Sequence, residues 1–321
     1  MTREGIILLG ISATMHLLVD GLCLCCLYLT VSSFTMNGIL SVFLLYNILA
    51  FMSQPLTGMM ADRLTRRHWL LLWSLVLLTL GVLMSLSLPL WTVSSPVLLA
   101  VAVLLGIGNS LFHVWGGKQV VLTTGNDIRA LGVFVSTGAM GLAVGIVFFS
   151  WTLLSILLMA LCLLAAVYLS VEGRVKEDTL HIESSATRHF SQTFALLSVV
   201  AIMGIVGFRS YVGEIFSSPL VRNSAVILLI GFVSMTGKML GGWLVRWMGM
   251  IAAVMVMLLM VACCIVFRHV GSFVLLTGIL AVNCTMPVTL YLANVVLKGR
   301  EGLAFGLLAA ALIPGYLLAT L

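Results

Sequence analysis

The sequence predicts an all-helical membrane protein of about eleven transmembrane spans, arranged as two pseudo-symmetric helical bundles. Three observations carry that reading. Of the 321 residues, 62% are hydrophobic and 8% are charged, whereas a soluble domain carries about 25% charged residues. The apolar residues come in runs long enough to cross hydrocarbon, which takes about 20 residues per helix. The few charges are gathered into short turns, the densest running from Gly58 to Arg67. There Asp62, Arg63, Arg66 and Arg67 place four ionised side chains within six residues, and such a group belongs at a membrane face.

Breaking the apolar runs at charges and turn residues predicts spans at about 5–32, 37–61, 68–89, 94–117, 127–149, 151–171, 191–213, 222–245, 249–267, 270–297 and 301–321. The first run follows Met1 to Glu4 directly and has no small-residue cleavage site, so it reads as a retained helix. Residues 173–190 form the one long polar connection. They divide the chain into an N-terminal six-helix bundle, 1–172, and a C-terminal five-helix bundle, 191–321. With the N-terminus cytoplasmic, the inner side holds Arg3, Arg63, Arg66, Arg67, Lys118, Arg129, Arg174, Lys176, Arg188, Arg246, Lys298 and Arg300, twelve of the sixteen basic residues. This asymmetry obeys the positive-inside rule. It accounts for the net charge of +6 without nucleic acid as a partner. The seven cysteines lie within apolar spans without CxxC spacing and read as packing residues.

The halves echo one another. Pro55 to Asp62 aligns with Met239 to Arg246 at an offset of 184 residues, and each copy closes the inner end of its helix. Halves repeated about an axis along the membrane normal are a transporter architecture.

Ionisable groups inside a membrane need a function or a partner. His16 and Asp20 stand four apart on one face of the first span, with His16 about 16 Å from the inner face at 1.5 Å per residue. They are candidates for proton coupling, or else a polar pair that holds helices together. Asn109 and His113 repeat the spacing in the fourth span, as a proton relay, a substrate contact or a structural pair. Arg209, the one basic residue of the seventh span, either meets Asp20 or an anionic substrate, or reaches the outer headgroups. Asn47 and Asn283 are lesser cavity candidates. Lys238 is expected to pair at the inner gate or to extend to the headgroups. Gly138, Gly141 and Gly145 give the fifth span a thin face for close packing, while Pro287 and Pro314 mark kinks. No Ser/His/Asp triad, HExxH or Walker loop occurs, so the sequence offers no enzyme chemistry and implies no cofactor or metal.

The hairpin from Gly58 to Arg67 resembles the signature between the second and third helices of the major facilitator superfamily. Further pieces resemble its fosmidomycin-resistance branch. These are His16-x-x-x-Asp20, Leu111-Phe112-His113, Arg209-Ser210 and the run from Gly299 to Gly306. The resemblance implies the major facilitator fold, with a small organic solute or drug exported in exchange for protons by a monomer in a bacterial inner membrane. It also implies that Asp62 meets the N-terminus of the eleventh helix. Gly58, Asp62, Arg63, Arg66 and Arg67 would form a cytoplasmic gate there, with Lys238 and Arg246 in the second half. Uptake with protons is the nearest alternative. The superfamily pattern of six plus six helices leaves a twelfth span missing, so a truncated, non-transporting membrane protein is the other reading.

Overall fold

The computed structural model describes residues 1–31, 36–64, 68–87, 95–172 and 191–320. The expected linker at 173–190 and the hairpin residues Arg66 and Arg67 lie outside them. The described residues fold into helices only, named in chain order: α1 Arg3–Val31, α2 Met36–Asn47, α3 Gln54–Arg63, α4 His68–Ser87, α5 Ser95–Thr124, α6 Ile128–Val147 and α7 Trp151–Glu172. The second half holds α8 Gln192–Ser217, α9 Ser224–Met248, α10 Met250–Val266, α11 Ser272–Cys284, α12 Met286–Val296, α13 Glu301–Ala310 and α14 Leu312–Thr320.

Ten helical stretches are long and apolar enough to span a membrane, and α10 adds a shorter apolar helix of 17 residues. Together they match the eleven expected spans. Large apolar side chains also face outward, with Trp247, Ile251 and Phe273 each more than four-fifths exposed. A hydrocarbon solvent explains that surface; water does not.

Three spans are each made of two helices, and each break falls just before a proline. Pro55 follows a π-helical turn at Ile48–Met52 that joins α2 to α3. Pro287 follows the break at Thr285, and Pro314 lies just past the break at Ala311. A proline lacks the N–H of the helical ladder and its ring collides with the carbonyl four residues earlier. Side chains beside two of the breaks bond to carbonyls one turn earlier, as suits a setting without water. Gln54 Nε2 donates to Ala50 O at 2.7 Å, and Asn283 Nδ2 donates to Ile279 O at 2.8 Å. Pro287 and Pro314 were expected as kinks, whereas the π turn before Pro55 was not.

Helix α1 is the axle of the first bundle, buried along most of its length. It meets α6 along the expected glycine face. A side chain at Gly141 would overlap the Leu17 carbonyl, and one at Gly138 would strike His16 and Asp20. A second apolar cluster unites the two halves through Leu9, Val121 and Phe134 on one side and Val206, Leu290 and Phe305 on the other.

The aligned glycines of the repeat both stand at contacts between the halves. Gly58 of α3 lies against the backbone of Gly302 in α13, and Gly242 of α9 lies against Ile128 and Arg129 at the start of α6. The rule behind both is one of space, because only hydrogen fits where two backbones touch. Gly58→Leu is therefore expected to lower stability by about 1–3 kcal/mol, read as a fall in the thermal midpoint of the purified protein. An unchanged midpoint would mean that α3 and α13 do not pack as described.

Candidate functional site

Helix periodicity places His16 and Asp20 on one face of α1, and Asn109 and His113 on one face of α5. The structure brings all four together. Asp20 Oδ2 lies 3.3 Å from His16 Nε2, and Asp20 Oδ1 lies 3.5 Å from His113 Nε2. Asn109 Nδ2 donates to Asp20 Oδ1 at 3.1 Å, which makes Asp20 the acceptor. All four side chains are buried.

The two imidazoles define the chemistry. His16 Nδ1 lies 2.7 Å from the Phe134 carbonyl, and His113 Nδ1 lies 3.0 Å from the Asn109 carbonyl. A carbonyl only accepts, so each Nδ1 carries its proton. The remaining nitrogens, His16 Nε2 and His113 Nε2, face each other at 2.8 Å. Two bare lone pairs cannot stand that close, so at least one further proton lies between them. One histidine is then an imidazolium, and its charge is matched by Asp20. The proton belongs to the pair rather than to either ring.

Among the described residues, His16, Asp20 and His113 are also the group whose donor atoms converge closely enough to hold a metal ion. Two imidazoles at 2.0–2.1 Å around a tetrahedral ion stand about 3.3 Å apart. The observed 2.8 Å fits a shared proton better.

Arg209, on α8, is only 8% exposed, which rules out extension to the headgroups. Its Nη1 donates to Thr289 Oγ1 of α12 at 3.3 Å. The expected alternative of a pair with Asp20 is not formed; Asp20 is engaged by His16, His113 and Asn109. Lys238 also departs from expectation. It is half-buried and within electrostatic range of Asp20, His113 and Arg209, so it stands with the buried polar groups rather than beside Asp62. Asn47 donates its amide to Phe43 O on its own helix, whereas Asn283 donates both to Ile279 O of its own helix and, at 3.5 Å, to Ser234 Oγ of α9.

At the other expected site, Asp62 lies at the N-terminus of α13. Its Oδ1 accepts from Gly302 N and its Oδ2 from Leu303 N, both at 2.9 Å. A carboxylate suits the partial positive charge of a helix start. Lys118 of α5 adds a contact that sequence reasoning missed, with Nζ at 3.0 Å from Asp62 Oδ1 and 2.8 Å from the Ala61 carbonyl. Its position at the end of an apolar run was the available signal. Arg63 is exposed, and so is Arg246. Arg246 shares an open pocket with Asp127, Arg129 and Tyr291, away from Asp62. There α6 is capped by its own Asp127, which accepts from Arg129 N at 2.9 Å. The Arg129 side chain also binds Asp127 and holds its carboxyl below the usual carboxylate range.

Residues 7–319 match the family model described as the Major Facilitator Superfamily. No curated protein matches the chain. Among solved structures, the chain is similar to the E. coli fucose:proton symporter FucP at 14% identity and a TM-score of 0.67, covering 99% of this chain and 91% of that one. A bacterial homologue of the iron transporter ferroportin in an outward-facing state is similar at 14% identity and a TM-score of 0.66, covering 97% and 90%. The human organic anion transporter MFSD10 is similar at 17% identity and a TM-score of 0.62, covering 99% and 93%. At these identities the likeness is one of fold.

The Asp62 contact generates a direct expectation. Asp62→Ala leaves two helix-start amides without an acceptor, at a cost of about 1.5–3 kcal/mol for each charge-assisted bond. Hydrogen exchange at Gly302 and Leu303 should quicken strongly in that variant; unchanged protection would show that the carboxylate does not hold α13.

Proposed function

The chain belongs to the Major Facilitator Superfamily, and we propose that it moves a small organic solute across the membrane by alternating access, with protons as the coupling ion. The observation that carries this reading is the face-to-face approach of His16 and His113 at 2.8 Å. That contact holds only while a proton occupies it. When the proton leaves, two lone pairs oppose each other and Asp20 becomes an unmatched carboxylate in a buried setting. The contact between α1 and α5 must then rearrange, so protonation and conformation are linked through one pair of rings.

The Asp62 cluster is the companion element of the reading. Its bonds to Gly302 and Leu303 tie the two halves at one end, with Lys118 of its own half holding the carboxylate, and the two bonds across the halves must break before that end opens. Gly58 makes the close approach possible. The positive-inside pattern supports assigning that end to the cytoplasm. Export in exchange for protons is the direction supported by the resemblance of the His16, His113 and Arg209 segments to fosmidomycin-resistance transporters. Uptake together with protons is the second reading, favoured by the charge balance around Arg209 and Lys238.

Proteoliposomes carrying a pH gradient test the coupling. Solute-linked proton flux should fall to the level of protein-free liposomes in Asp20→Asn, and persistence of that flux would remove Asp20 from the coupling site. Everted and right-side-out vesicles distinguish export from uptake by the side on which solute accumulates.

A further inference from the structure

Among the described residues, buried Arg209 and half-buried Lys238 of the second bundle form no ion pair. Arg209 stays protonated at any accessible pH and has five N–H donors, of which Thr289 accepts one. The four ion pairs among the described residues join His16 and His113 to Asp20, Lys118 to Asp62, and Arg129 to Asp127. None reaches Arg209 or Lys238. Glu214, the acid of α8, interacts with Ser217 on its own helix. Asp20 is the one carboxylate near Lys238, and its charge is already matched by the proton shared between His16 and His113. Among the described residues Arg209 therefore has no matching carboxylate in a buried setting, where an uncompensated charge is costly, and half-buried Lys238 adds a second positive charge within its electrostatic range.

We propose that this region is built to receive a small organic anion, held by Arg209 and Lys238, and that the anion binds together with a proton. The inference rests on the coupling role of the histidine pair and adds the substrate class and the sign of the coupling. With the shared proton in place, the cluster of His16, Asp20 and His113 is neutral, and an arriving carboxylate or phosphonate meets the two cations undiminished. Without it, Asp20 carries a bare negative charge that repels the anion and competes for Lys238.

The other groups near Asp20 do not reverse that sign. Cys23 of α1 and Tyr46 of α2 are neutral in their ordinary forms. From α6 the nearest groups are the Phe134 carbonyl and the Thr137 hydroxyl, which bonds to Ala13 O and Phe134 O. Proton and anion thus strengthen each other's binding, and linkage makes the effect reciprocal. Ligands that bind together travel together, which supports the second reading above, uptake together with protons.

Calorimetry on the purified full chain in neutral detergent tests this with benzoate and phenylphosphonate as anions, benzyl alcohol as the neutral probe and benzylammonium as the cation. At least one anion should bind while the neutral and cationic probes do not. Its affinity should be about tenfold tighter at about pH 5.5 than at about pH 8, on either side of the imidazole range. Arg209→Gln should abolish binding and Lys238→Gln should weaken it, while Arg209→Lys, which keeps the charge, should retain it and guards against a folding defect. Asp20→Asn, whose cluster is neutral without the proton, should bind the anion at about pH 8 as tightly as the unaltered protein does at about pH 5.5. Absence of binding by both anions, equal binding of benzyl alcohol, tighter binding at the higher pH, or unaltered binding in Arg209→Gln would each overturn the proposal. Competition by added phosphatidylglycerol would assign the cations to a lipid headgroup and overturn it as well. No gradient enters this measurement. Loss of coupling in liposomes with anion binding intact would therefore fault the proton reading, and absent anion binding with intact proton flux would fault the substrate class.

Discussion

Two imidazole nitrogens held lone pair to lone pair need a positive particle between them, and much of this molecule serves to hold them there. The carbonyl of Phe134 can orient His16 only because α6 lies almost on the backbone of α1. That approach needs the glycine face of α6, since a side chain at Gly138 would occupy the space of His16 and Asp20. On the other side, His113 turns its Nδ1 to the carbonyl of Asn109, one turn earlier on its own helix. Asn109 in turn uses its amide to hold Asp20 as an acceptor. Each member thus fixes the protonation state of another, which is how a buried polar network specifies a single arrangement.

Much of the architecture was legible in the chain because hydrocarbon imposes simple rules. Most spans were placed to within a few residues, although the fourth runs to Thr124, well past its expected end at 117, and the helical spacing of His16 with Asp20 and of Asn109 with His113 gave the right faces. Which faces meet was not legible, because periodicity says nothing about the neighbour across a helix crossing. Hence Lys118 was counted only as a topology signal, although its ammonium lies on Asp62. The place of Lys238 near the inner end of its helix suggests the gate or the headgroups, while the packing of α9 against α6 brings it within electrostatic range of Asp20. The broken second span was missed for a different reason. A proline near a helix end reads as a start, and only the continuous packing of α2 and α3 shows it as a disturbance within one span.

The internal repeat explains the two seams between the halves and also their difference. Gly58 and Gly242 occupy equivalent places, and each lets its helix touch the opening turn of a helix in the other half. The residue four places on differs. Asp62 reaches across to the amides of α13, while Arg246 is exposed and leaves the start of α6 to be capped by its own Asp127. The repeat has thus kept the contact and changed the chemistry. Steric fit is retained on both sides, and charge-assisted bonding across the halves is concentrated on one.

That inequality has a mechanical meaning. The seam of α6 against α9 can slide by smaller steps, because among the described residues it is held by packing and by the Arg129 guanidinium over the Trp243 ring rather than by hydrogen bonds to a carboxylate. The seam of α3 against α13 must break two charge-assisted hydrogen bonds at once, those of Asp62 to the amides of Gly302 and Leu303, so it resists until it releases. Parting the halves would then resemble a book lifted by its clasp, with α6 and α9 as the spine.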